Sequence, residues 1–350
     1  MPGGDRSLGV GVLNELTVRG QGLVLREDQA AFYVHVDDGA LVTGGGSDRR
    51  NTALSDELMN FCADTLEDVG FVVNERYPAQ DLEKIVGYEV ERHPARLRVP
   101  ASRAVILRVA LRALARRRAV HTGLVRNTVG VWLWAALVRR DLLAIPQHVF
   151  KFLEKYDNCW ATQWPSARRE LMAMSHALLA TYADVGAPLA PVVFATDAMG
   201  SGIDHGGYGI VACDVSVKLA EECLVRGMRP GKTLLKLDGV ASGSKFIHKP
   251  IERNVPYTKL PPALFAEDRR WWPLESGRWR WSDHITLGEA RAVVRLTECL
   301  AAHPATRRHK VLSLQDNMPC MCAMAKGRSP TGPLNYLVRR RSASALGGEL

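Results

Sequence analysis

Residues Pro191–Cys213 read PVVFATDAMGSGIDHGGYGIVAC, two apolar runs separated by a glycine-rich turn. Val192, Val193 and Phe194 lead toward Asp197, and Tyr208 to Cys213 resume the apolar pattern. Such a pair predicts a β-hairpin whose first strand carries a carboxylate at the end of a buried segment. A carboxylate there is costly unless it is paired or holds a metal. The plainer reading is a turn aspartate, and the choice depends on what else converges on it.

Two further acids stand in comparable places. His284 to Leu300 (HITLGEARAVVRLTECL) has helical spacing, with Glu289, Val293, Leu296 and Leu300 on one face and Arg291, Arg295 and Glu298 elsewhere. Glu289 therefore lies on the apolar face, where a charge needs a reason. Thr286-Leu-Gly-Glu289 also fits a capping box, in which Glu289 would bond back to the helix start. Asp316 follows the apolar strand Val311–Leu314, and its plain reading is an Asp-Asn turn.

The order strand-Asp, helix-Glu, strand-Asp gives these acids a common purpose. Three converging carboxylates can hold two Mg²⁺ ions about 4 Å apart for phosphodiester hydrolysis. FATDAMG with GGYGIVA, then HITLGEARAV and VLSLQDNM, followed by AKGRSP and LNYLVRR, resemble the ribonuclease H domain of retroelement polyproteins. Integrases and transposases of the same broad fold place the glutamate last, whereas Glu289 stands between the aspartates. The resemblance spans residues 188–350. It implies an α/β domain of mixed sheet and flanking helices, with Asp197, Glu289 and Asp316 as catalytic ligands of Mg²⁺ or Mn²⁺. It also implies an RNA–DNA hybrid as partner. Lys326 and Arg328 are then phosphate contacts, against the alternative of a solvated loop between helices.

The 350 residues are 47% hydrophobic and 24% charged, an ordinary globular balance with room for two or three domains. The net charge is +9, and a polyanionic partner suits it. Between Arg92 and Arg169 sixteen Lys and Arg face three acids, Asp141, Glu154 and Asp157, an excess of thirteen charges. Seven scattered cysteines show neither C-x-x-C nor zinc spacing, which predicts reduced thiols in a cytoplasmic or nuclear setting. The start MPGGDRSLGVGVL lacks the charged region and apolar core of a signal peptide, and no apolar run is long enough for a membrane span.

Residues 30–45, AAFYVHVDDGALVTGG, predict a second hairpin around Asp37-Asp38-Gly39. Asp38-Gly39 suffices to make the turn. HVDDG also resembles the reverse transcriptase metal motif, with His35 where that family usually has tyrosine, and so implies Asp37 and Asp38 as polymerase metal ligands. Residues 55–69 predict an amphipathic helix packed through Leu58, Phe61, Cys62 and Leu66. GFVVNERY and GYEVERH resemble the strands that follow the metal motif. On this resemblance residues 1–100 are a partial polymerase palm, without fingers and without the upstream aspartate. Primer extension by this chain is therefore not expected.

Residues 101–187 predict helices, resembling a thumb or connection. Leu107, Leu111 and Leu114 mark the buried face of the first. Arg108, Arg112 and Arg116 form a stripe that is either a solvated face or a duplex contact. Val131, Trp132, Trp134, Leu137 and Val138 read as core, as do Leu171, Met174, Leu178 and Leu179 on a helix starting near Ser166. Residues 214–283, rich in proline, read as an insertion that returns through a strand at Arg278–Trp281. RPGKT (Arg229–Thr233) lacks the first glycine of a phosphate-binding loop, because Arg226 stands there. The family places a fourth ligand on a terminal helix, and with 34 residues after Asp316 the domain reads as truncated, with Glu349 poorly placed to serve. The expectation is a retroelement-derived hybrid-binding protein with weak cation binding and little cleavage. The alternative is a catalytically inactive nucleic-acid-binding remnant.

Overall fold

The computed structural model describes residues 11–12, 29–35, 38–44, 48–78, 82–92, 94–200, 206–227, 260–280 and 283–350. The described residues form a mixed α/β protein with nine α-helices. The chain divides into two compact units, residues 1–86 with 221–261, and residues 87–220 with 262–350.

In the first unit β1 (Gly11–Val12) lies parallel to β2 (Gln29–His35). β2 pairs antiparallel with β3 (Asp38–Gly44), His35 opposite Asp38 and Val34 opposite Gly39, so a hairpin forms, but Asp38 and Gly39 lie in its second strand and not in the turn as expected. Helix α1 (Asp48–Asp68) begins earlier than the apolar pattern indicated. It buries Leu58 and Ala63 and leaves Phe61 68% exposed, so Phe61 is not a packing residue. GFVVNERY, residues 70–77, expected as a strand, does not form one. Arg76 reaches back to Asp64 and Glu67, each at 2.8 Å, and holds the segment to α1 by side chains instead of a backbone ladder. β4 (Lys84–Ile85) closes this part.

The second unit opens with β5 (Tyr88–Glu91) and β6 (Arg96–Arg98), an antiparallel pair. Helix α2 (Ala101–Arg116), strand β7 (Ala119–His121), helices α3 (Thr122–Leu137) and α4 (Gln147–Lys155), strand β8 (Trp160–Thr162) and helix α5 (Pro165–Ala177) follow. Strand β9 (Tyr182–Asp184) then returns to pair with β6. Leu107, Leu111 and Leu114 are buried as their spacing predicts. On α3 the buried face is Val125, Val129, Trp132 and Ala136, at helical spacing, and the Trp132 indole donates to the Met174 carbonyl at 3.1 Å. Val131 and Leu137 fall off that face and are half exposed, contrary to expectation. Leu179 is exposed too, because a 3-10 turn at Leu178–Ala180 ends the period of α5.

A four-stranded sheet completes the unit. It is built from β10 (Leu189–Met199), β11 (Gly207–Asp214), β12 (Trp272–Arg278) and β13 (Lys310–Leu314), in the order β12-β11-β10-β13. β13 runs parallel to β10 and the other pairings are antiparallel. Helix α6 (Val217–Gly227) follows β11 within the stretch expected to be loop-rich. The third strand is β12, which ends at Arg278; of the expected strand Arg278–Trp281, Trp281 lies outside the described residues. Past Arg278 the Trp279 backbone N–H donates to the Gly206 carbonyl at 3.1 Å, and its ring stacks on Tyr208, ring centroids 4.6 Å apart.

Helix α7 (Ile285–Ala302) crosses from β12 to β13. Leu296 and Leu300 pack on Phe194, Ile210 and Ala212 of the sheet. Ala290 and Val294 pack on the other side against α8 (Met318–Lys326) and α9 (Gly332–Gly347). A helix covered on two sides needs small and apolar residues around most of its circumference, which explains its alanines. From α9, Asn335 and Arg339 donate to the Ala144 carbonyl, each at 3.0 Å, tying the helical segment to the sheet-bearing one. All seven cysteines are free. No helix among the described residues is long and apolar enough to cross a membrane.

Candidate metal centre

Asp197 stands near the end of β10, opposite Gly209 of β11, and is exposed. On its other side β10 pairs with β13 only as far as Ala195↔Leu314. Beyond that point the backbone N–H of Ala198 has no strand to bond. Glu289 takes its place, Oε1 accepting from Ala198 N at 3.1 Å. Gly288 lies beside this approach, where even a Cβ would make only ordinary van der Waals contact with Ala198 and Trp279.

The capping-box reading of Glu289 is therefore overturned. His284 is the N-cap of α7, its Nδ1 accepting from Thr286 N at 3.3 Å, and Glu289 turns toward the sheet. After β13 the chain passes through Gln315 and Asp316 into Asn317, whose side chain caps α8 by accepting from Cys320 N at 3.0 Å. Asp316 is thereby released from capping duty and stays exposed.

These three turns of chain bring Asp197, Glu289 and Asp316 together, with one carboxylate oxygen of each within 4.8 Å of the others. Glu289 is only 2% exposed, and its Oε2 is buried with no hydrogen-bond partner. Burial pushes its carboxyl pKa up, and the charges of Asp197 and Asp316 push it further. The Ala198 N–H and the Gln315 amide act in the opposite direction. A buried carboxylate with an unpaired oxygen, close to two more carboxylates, lacks a positive charge. Hard oxygen donors of this kind can hold a divalent cation. Gln315 and the Ala198 N–H escaped the sequence reading, although a polar residue between Leu314 and Asp316 was its available signal.

The remaining candidates lie elsewhere. Asp37 is outside the described residues, and Asp38 begins β3 with its backbone alone described. RPGKT is also outside them. Arg108 and Arg112 are half-buried and Arg116 is exposed. The stripe is not purely basic, because Val105, Ile106 and Val109 of the same helix are more than 60% exposed. Lys326 and Arg328 are exposed and flank Gly327, which caps α8 in the left-handed region with φ 68°. A Cβ there would fall 2.0 Å from the Arg140 carbonyl oxygen. The loop thus seats Arg328 beside Arg140, whose pKa is lowered by burial and then by Arg328. Glu349 is engaged elsewhere, accepting from Arg308 Nε at 2.7 Å, so it is ordered but supplies no fourth ligand.

Comparison with known proteins finds no match to a family model, a curated protein or a solved structure.

Proposed function

We propose that the second unit is a ribonuclease H-like module that binds RNA–DNA hybrid and holds divalent cations on Asp197, Glu289 and Asp316. The observation that carries the reading is the buried, unpartnered Oε2 of Glu289 among three converged carboxylates. The mixed sheet β12-β11-β10-β13, with α7 between its last two strands in sequence, agrees with it. When bound, Mg²⁺ or Mn²⁺ at such a site activates water and stabilises the leaving oxygen of a phosphodiester.

The chain's own residues supply placement. Ala198 N–H orients the Glu289 carboxylate, and the end of β13 leaves the space into which it reaches. Asp197 and Asp316 present their carboxylates on the exposed side, where a phosphate of the hybrid can approach. Lys326 and Arg328, with Arg140 beside them, offer phosphate contacts. The basic helical segment extends that surface.

A second reading is a binding-only remnant. It is favoured by the absence of a fourth acid from the cluster among the described residues, which weakens cation affinity. Incubating the 350-residue chain with labelled RNA–DNA hybrid and Mg²⁺ or Mn²⁺ separates the two. Metal-dependent cutting of the RNA strand, lost in Asp197→Asn with hybrid binding retained, supports the nuclease. Binding without cutting supports the remnant. Cutting that survives Asp197→Asn defeats the proposed site.

A further inference from the structure

β7 and β8 form a two-stranded ribbon with Ala119↔Thr162, Val120↔Ala161 and His121↔Trp160 as opposed pairs. Strand alternation turns Val120 and Ala161 into the helical core, where they are 1% and 8% exposed. Trp160 faces out and is 68% exposed. Its ring meets that of His121 edge-on, centroids 5.9 Å apart, and most of the indole is left in solvent.

The indole does not stand on a loose loop. Thr122 N donates to the Cys159 carbonyl at 2.9 Å and Cys159 N donates to Thr122 Oγ1 at 3.0 Å, which locks the ribbon to the start of α3. Arg116, Arg117 and Arg118 lead into β7 and are all exposed. Among the described residues no carboxylate forms an ion pair with any of the three. Asp157, in the turn before β8, is held by Arg126 at 2.6 Å.

An exposed indole at one end of a two-stranded ribbon, with a run of arginines entering at the other, matches a polyanion that also carries flat apolar faces. We propose that Trp160 stacks on an unpaired base of a single-stranded stretch of nucleic acid, whose phosphates lie along Arg116–Arg118. The inference rests on nucleic acid being the partner and is independent of the acid cluster. A protein partner for the same surface would not distinguish paired from unpaired bases.

Fluorescence anisotropy in EDTA, with the full chain, compares a blunt hybrid with one bearing a short single-stranded extension. Trp160→Ala should weaken binding of the extended hybrid by roughly tenfold, leaving its salt dependence and the blunt hybrid unchanged. Trp160→Phe should keep most of the affinity. Neutralising Arg116, Arg117 and Arg118 should instead lower the salt slope, by up to about three units. Wild-type affinity in Trp160→Ala, or an equal loss on both hybrids, overturns the stacking role. Failure of the wild type to bind either hybrid defeats the nucleic-acid reading itself, and the stacking role with it.

Discussion

Two glutamates of the second unit are almost equally buried, Glu170 at 5% exposed and Glu289 at 2%, yet their surroundings are opposite. Glu170, on α5, is saturated. Its Oε2 accepts from the His148 and Val149 N–H groups at the start of α4, at 2.6 and 2.9 Å. Its Oε1 faces His148 Nδ1 at 2.8 Å and the Arg339 guanidinium at 3.0 Å. It caps one helix from another and anchors a third. Glu289 has one backbone N–H donor, the Gln315 amide nearby, two carboxylate neighbours and an Oε2 without a hydrogen-bond partner. Burial alone therefore does not separate a structural acid from the one proposed to hold a cation. The sign of the charge around it does.

The largest expected effect is on the saturated acid. Glu170→Ala removes the cap of α4 and the carboxylate partner of Arg339, which keeps its bonds to the Ala144 and Ile145 carbonyls, at a cost of about 3 kcal/mol in chemical denaturation. A loss below about 1 kcal/mol would show that the cluster is incidental to stability. Glu289→Gln should act in the other direction in metal-free buffer near neutral pH, raising the unfolding midpoint. The sign follows from its raised pKa. The folded protein holds the proton more tightly than the unfolded chain, so stability falls as pH rises from the ordinary glutamate range through the folded value. A destabilised Glu289→Gln protein would mean that the carboxylate is structural after all.

A smaller effect is expected at Glu275 on β12, which sharpens the contrast with a third environment. Burial works against its charge, but hydrogen bonds from Arg295, Tyr208 and Cys299 prevail and hold its pKa at about 2. Arg295 Nε and the Tyr208 hydroxyl are each 2.6 Å from Oε1. A depressed pKa gives stability that is present above the ordinary glutamate range and lost as pH falls toward about 2. Glu275→Gln should flatten the acid limb of the stability profile in that window. An unchanged limb would show that these hydrogen bonds contribute nothing net.

The acid cluster was legible in the sequence because each member ends or begins an apolar run, where a charge requires explanation. The hairpin β10–β11 was legible from the glycines between its runs, and the buried face of α2 from Leu107, Leu111 and Leu114. β12 was not, because Trp272-Pro-Leu-Glu-Ser-Gly-Arg278 is an exposed edge strand with no alternation to read. Glu289 could be narrowed to two roles but not assigned. The choice depended on β13 stopping short of Ala198, and the pairing of strands far apart in sequence carries no local signal. Val131, Phe61 and Leu179 were misplaced for a related reason. Periodicity gives a helix an apolar side but does not say which side its neighbours cover.

The most direct measurement is calorimetric titration of Mn²⁺ into the metal-free chain near neutral pH, repeated on Asp197→Asn and Glu289→Gln. The wild type should bind, weakly, and both variants should lose that binding. Identical isotherms for the wild type and the two variants, or no heat from any of them, would contradict a cation site at Asp197, Glu289 and Asp316.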